Sequence, residues 1–282
     1  MSYFCMMIKK AVWVFFSMML LFSCNKTYEK AMKSKEPEFI LNAADELYDS
    51  EKWPYAIELY QKVSSAYAGT QQAEHINYRS AYANFYDKNY VLSARQFKNF
   101  YTANLRSEKA EEALFMSAYS YYMGSPKYNL DQTNTYEAIR ELQGFIDAYP
   151  TSNRVKDANK YINELQQKLE RKAFEIAQSY HKTLKFQAAS VSFANFLDDF
   201  PDSKLREEAF MYMLRARAEL GLQSVFSKKE NRLKDALTTY RLFTQTYPNS
   251  KFSKEANDLH QKIEKELQTH ATLVAQLKEE KK

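Results

Sequence analysis

The chain has 282 residues, a formal net charge of +5 and only four glycines. Hydrophobic residues make up 45% of it and aromatic residues 15%, mostly Tyr and Phe, enough to core one large domain or two small ones. Charge this balanced argues against a basic nucleic-acid-binding stripe, and four glycines are too few to build a phosphate cradle.

Residues 1–23 read as a secretion leader, with Lys9 and Lys10 ahead of an apolar run from Ala11 to Phe22 broken only by Ser17. That run is too short to span a bilayer comfortably, and polar sequence follows at once. It ends Leu21-Phe22-Ser23-Cys24, a pattern similar to a bacterial lipobox, in which the cysteine becomes the lipidated first residue of the mature chain. Cys5 lies inside the leader, so Cys24 would be alone and neither a disulfide nor a cysteine metal site is expected. Residues 24–36 are short, polar and charged and read as a tether between lipid and fold. Asn25 stands where many lipoproteins carry the aspartate associated with inner-membrane retention, which favours the outer membrane.

From Pro37 onward one phrase recurs: alanine, apolar residues four and seven positions later, then an aromatic followed by proline. It reads Ala138/Leu142/Phe145/Tyr149/Pro150, Ala189/Phe193/Phe196/Phe200/Pro201 and Ala236/Tyr240/Phe243/Tyr247/Pro248. Looser copies are Ala56/Tyr60/Val63/Tyr67 and Ser93/Phe97/Phe100. Offsets of four and seven share one helical face, proline stops the helix, and a serine two residues later (Ser152, Ser203, Ser250) is placed to cap the next.

The expected hairpins follow in order. The first runs from Pro37 and returns from Trp53-Pro54 to Tyr67, and the second spans 73–104 with its turn at 87–89. The third begins after Ser107, breaks at Gly124-Ser125-Pro126 and resumes near Thr133. The fourth has a long outgoing helix, 153–182, and the fifth runs from Asp202 to Gly221, loops through 223–231 and returns to Tyr247. The anchor positions are spaced 37, 45, 51 and 47, against a tetratricopeptide period of about 34. The expected fold is all-α: five tetratricopeptide-like hairpins stacked in a superhelical solenoid, with a charged C-terminal helix as its cap. Repeats one to three occupy 37–150; repeats four and five and the cap occupy 151–282.

No catalytic constellation is present. His75, His181, His260 and His270 are scattered, and no HExxH, P-loop or GxSxG occurs. Neither an enzymatic activity, a metal nor a cofactor is expected. The better lead is aromatic. SAYANFY (80–86) and SAYSYYM (117–123) are similar stretches one hairpin apart, aligning Tyr82 with Tyr119 and Phe85 with Tyr122. With Tyr78, these rings form a candidate groove for extended polypeptide, each tyrosine offering apolar area and a hydrogen-bonding tip. Rings at helical spacing equally suit packing between hairpins, and the sequence leaves both readings open.

Lipobox, tether and five hairpins together resemble the BamD family of outer-membrane β-barrel assembly lipoproteins. The stretches DQTNTYEAIRELQGFIDAYPTS (131–152) and YHKTLKFQAASVSFANFLDDFPDS (180–203) carry the likeness, which covers residues 20–250. Membership implies a lipid anchor at Cys24 on the periplasmic face of the outer membrane. It also implies association with the periplasmic domains of the barrel insertase BamA and recognition of unfolded outer-membrane proteins. N-terminal repeats would face substrate and C-terminal repeats the insertase. Ser192 stands where the family often has an arginine, so a salt bridge there does not carry over. The alternative reading is a periplasmic lipoprotein scaffold for cell-envelope or peptidoglycan machinery.

Overall fold

The computed structural model describes residues 26–280, and among them all regular structure is helical. The leader and Cys24 lie outside the described residues. The chain divides into two compact units, one ending at Leu165 and the other beginning at Gln166.

The first unit opens with helix α1, residues 26–33. Three hairpins follow: α2 (Pro37–Asp49) with α3 (Trp53–Val63, extended by a 3-10 turn, Ser64–Tyr67), α4 (Gln71–Tyr86) with α5 (Tyr90–Ala103), and α6 (Ala110–Met123) with α7 (Thr133–Ala148). The first turns of α8 (Val155–Lys182) complete it, burying Ala158, Ile162 and Leu165 with Leu142 and Phe145. This is why the boundary falls inside α8, past the Tyr149-Pro150 break where the sequence places it. In the second unit the rest of α8 pairs with α9 (Phe186–Asp199), and α10 (Arg206–Leu222) pairs with α11 (Phe226–Thr246). Helix α12 (Ser253–Glu279) buries Ala256, Leu259 and Ile263 in the same core.

The recurring phrase sets the packing. Ala56, Ser93, Ala138, Ala189 and Ala236 are all fully buried, where helices approach too closely for a larger side chain. Phe97, Phe145, Phe193 and Phe243, at the four or seven offset, are fully buried beside them. Tyr149, Phe200 and Tyr247 end their helices alike, with φ of −133°, −128° and −128°. A following proline forces that extended geometry.

The serines act differently from expectation. Each sits ahead of the helix rather than at its N-cap and accepts from the backbone N–H two residues on: Lys109 to Ser107 (3.1 Å), Arg154 to Ser152 (3.1 Å), Leu205 to Ser203 (2.9 Å) and Phe252 to Ser250 (3.0 Å). Each hydroxyl donates to a glutamate on the outgoing helix of the preceding hairpin. The pairs are Ser107–Glu74 (2.6 Å), Ser152–Glu111 (2.6 Å), Ser203–Glu170 (2.7 Å) and Ser250–Glu207 (2.6 Å). Serine is therefore a hinge pin between repeats, a role a capping rule for one helix does not anticipate.

Two further departures bear on function. The expected tether is largely helix: α1 buries Ala31 completely and packs Tyr28 on the first hairpin, because these two residues, three apart, share a face. The expected loop 223–231 is cut short, since α11 begins at Phe226. Phe226 stacks on His270 of α12 (4.2 Å) and its carbonyl lies 3.0 Å from the His270 Nε2, so the extra turns are held by tertiary contact.

Candidate functional site

The sequence-predicted rings all belong to the first unit, on α4 and α6, and all five are half-buried. Each rests one side on the core. Tyr78 and Tyr82 meet the buried Phe97 edge-on, at 6.1 and 4.8 Å between centroids. Phe85 lies 5.7 Å from Tyr119, and Tyr119 stacks on Tyr122 at 5.7 Å. The two duplicated stretches therefore join into one aromatic face across neighbouring hairpins. Tyr161 of α8 extends it, 5.2 Å from Tyr119 and 4.3 Å from Tyr122.

Hydroxyls at the edge of this face are anchored to carboxylates. Tyr82 donates to Glu112 Oε1 at 2.5 Å, and Tyr122 donates to Glu164. Burial, then the hydrogen bond to the carboxylate, holds both phenols well above the ordinary tyrosine range. Burial opposes ionisation of Glu112 as well. The bonds from Tyr82 and Tyr78 and the charge of Arg154 outweigh it, and its pKa is lowered.

Tyr78 and Tyr82 also line a cleft of about 470 Å³, together with Tyr48, His75, Arg79, Tyr86, Lys109 and Glu112. Phe85, Tyr119 and Tyr122 continue the aromatic face beyond it. Cations cover two rings in the cleft: the Arg79 guanidinium lies 4.6 Å from the Tyr48 centroid and the Lys109 ammonium 4.8 Å from that of Tyr78. Burial pushes the Tyr48 and Tyr78 phenols up to about 12, so both stay protonated and able to donate.

Behind the cleft, Asp45 of α2 ties the first hairpin to the second. It accepts from Tyr60 (2.6 Å), Arg79 (3.1 Å) and His75, whose Nε2 lies 2.9 Å away. Burial alone would raise the Asp45 pKa, but the His75 and Tyr60 hydrogen bonds and the nearby positive charges lower it. Such a surface, apolar faces with donors and charges at the rim, suits an extended polypeptide bearing aromatic or aliphatic side chains.

Sequence reasoning missed Tyr48, Trp53, Arg79, Tyr86 and Glu112. Tyr86 had a signal, five residues after Ala81 on the ring-bearing side, and it stacks on Trp53 at 4.6 Å. Arg79 and Tyr48 had none, since their contact joins hairpins that no spacing rule relates. Ser192 lies on α9, outside this face.

A family model described as YfiO, outer membrane lipoprotein, matches residues 33–233. The outer membrane protein assembly factor BamD of Rickettsia prowazekii is 24% identical over 209 residues, covering 73% of this chain and 78% of that protein. BamD of Caulobacter vibrioides is 20% identical over 185 residues, covering 66% of this chain and 61% of its own length. Among solved structures, the TPR2AB domain of yeast Sti1 in its pHSP90 complex aligns with a TM-score of 0.35 and 12% identity, over 81% of this chain and 98% of that one. With a match spanning both units and most of the hairpins, the chain belongs to the YfiO family of outer membrane lipoproteins.

Proposed function

We propose that this protein is an outer-membrane protein assembly factor, a non-catalytic scaffold anchored through a lipidated Cys24 and facing the periplasm. The aromatic face of the first unit receives unfolded β-barrel polypeptide. The second unit docks the periplasmic domains of a BamA-like insertase. The observation that carries this reading is the joining of Tyr82, Phe85, Tyr119 and Tyr122 into one continuous face in a chain whose relatives are named assembly factors. Truncating a hot-spot ring at the centre of an interface typically costs at least ~2 kcal/mol.

Photo-cross-linkers placed at Tyr82 and Tyr119 in cells exporting a barrel protein test it. Adducts with the unfolded barrel chain, lost when the partner ring is changed (Tyr119→Ala or Tyr82→Ala) while helicity is retained, are the expected result. Adducts confined to cell-wall enzymes would overturn it in favour of an envelope scaffold.

A further inference from the structure

We infer that helix α1 presents a lysine face to anionic phospholipid headgroups and so holds the first hairpin at the membrane surface. The inference rests on the lipid anchor at Cys24 proposed above. One side of α1 is committed to protein. Ala31 is fully buried, the Tyr28 ring lies 4.7 Å from that of Tyr55, and the Tyr28 hydroxyl donates to Glu58. The Lys62 ammonium donates to the carbonyls of Ala31 (3.2 Å) and Met32, satisfying groups that a helix end leaves open. At about 100° per residue, Tyr28 and Ala31 point one way and Lys26, Lys30 and Lys33 the other. Those three lysines recur at i, i+4 and i+7 and are all exposed, with Glu29 the only acidic residue between them.

The covalent chain then supplies a distance. Cys24 precedes Lys26 by two residues, which reach at most about 7 Å whatever their path. That is within the screening length of about 8 Å at physiological ionic strength. Lys30 and Lys33 lie about 6 and 10 Å further along a helix rising 1.5 Å per residue. A free tether would let these charges orient at random. Docking through Tyr28 and Ala31 fixes their direction relative to the hairpin, so the lysine face and the anchor can engage one surface together. Each lysine near an anionic leaflet favours contact by about fivefold.

The test uses the mature lipidated chain reconstituted into vesicles of phosphatidylcholine alone, or with about one third phosphatidylglycerol. Intact mass establishes the acyl groups, and amine-reactive labelling read by mass spectrometry reports each lysine. The expected result is severalfold slower labelling of Lys26, Lys30 and Lys33 on the anionic vesicles, restored by high salt, with Lys262 and Lys265 of α12 unchanged. Purified protein carrying Lys26→Gln, Lys30→Gln and Lys33→Gln should lose its preference for anionic over neutral vesicles when Cys24→Ala removes the anchor. Equal labelling on both vesicles with the acyl mass present overturns the inference and leaves the anchor standing. A chain without the acyl mass overturns both.

Discussion

The two units share a frame and differ in what they hang on it. Counted from the glutamate that receives the serine hydroxyl, the eighth and eleventh residues in the first unit are Tyr82 and Phe85, then Tyr119 and Tyr122. In the second unit the same places hold Gln178 and His181, then Arg215 and Ala218. Glu74 and Glu111 are 37 residues apart, and so are Glu170 and Glu207. Packing and pinning are thus common property, while tyrosine and phenylalanine give way to glutamine, histidine and arginine and, at Ala218, to a fully buried methyl group. Gln178 there serves Tyr212 (3.1 Å), and Arg215 makes a two-point pair with Glu255 (2.6 and 2.7 Å). The difference teaches that a position does not have one meaning. The same helical offset makes an aromatic face in one unit and an internal brace in the other.

If the frame is common, it should fail equally. Phe97→Ala and Phe193→Ala each remove a fully buried ring and should each cost about 3–5 kcal/mol. Hydrogen exchange resolved by unit is the measurement, and a large loss in only one unit would break the equivalence.

If the presented side chains differ in purpose, binding should separate them. Tyr119→Ala or Tyr122→Ala should weaken affinity for an unfolded barrel segment by at least ~2 kcal/mol, whereas Gln178→Ala should leave it unchanged. Titration of a fluorescent barrel peptide decides this.

The Asp45 network belongs to the first unit, and Asp45→Asn should loosen α2 from α4 by about 1–3 kcal/mol. Because the folded carboxyl is held below its ordinary value, its contribution is complete above about pH 4. It is lost as the pH falls through the lower folded value. Exchange of α4 amides against pH should show this loss in the wild type and not in the variant.

Ser107→Ala and Ser203→Ala cut equivalent pins, each leaving a carboxylate without its donor, and should cost about 1–2 kcal/mol in both units. A smaller effect, of opposite sign, is expected at the tight turns. Lys88 and Leu184 adopt left-handed φ of 64° and 58°. The next residue's N–H returns to a carbonyl five residues back, Asn89 to Asn84 and Lys185 to Tyr180. Leu184→Gly should stabilise the second unit by about 1 kcal/mol, read as a rise in its unfolding midpoint.

Much of this architecture is legible in the chain. The Ala/Phe spacing sets helix faces, and an aromatic followed by proline ends helices because proline restricts the residue before it. The turns at 87–89 and 184–185 are visible as breaks in periodicity. Their left-handed residues are not, because neither Lys88 nor Leu184 is the glycine that such geometry favours. α1 escaped notice because two docking residues, Tyr28 and Ala31, are too few to give a period against a run of lysines. In the site, repetition exposed Tyr82, Phe85, Tyr119 and Tyr122, while Arg79 over Tyr48 depended on packing between hairpins that local spacing does not encode.

The serine pin also governs what the molecule tolerates. Serine and glutamate lie 33 residues apart in two pins and 41 and 43 in the others, yet the bond is 2.6–2.7 Å in all four. Closing a loop ten residues longer adds only about 0.2 kcal/mol of entropy. In chain entropy a segment such as 127–131, where Leu130 stands 54% exposed, can therefore lengthen at little cost, while Gln132, buried and donating to the Lys127 and Leu130 carbonyls, holds the base of the loop. New recognition surface can be written into the turns of such a chain without rewriting its interior.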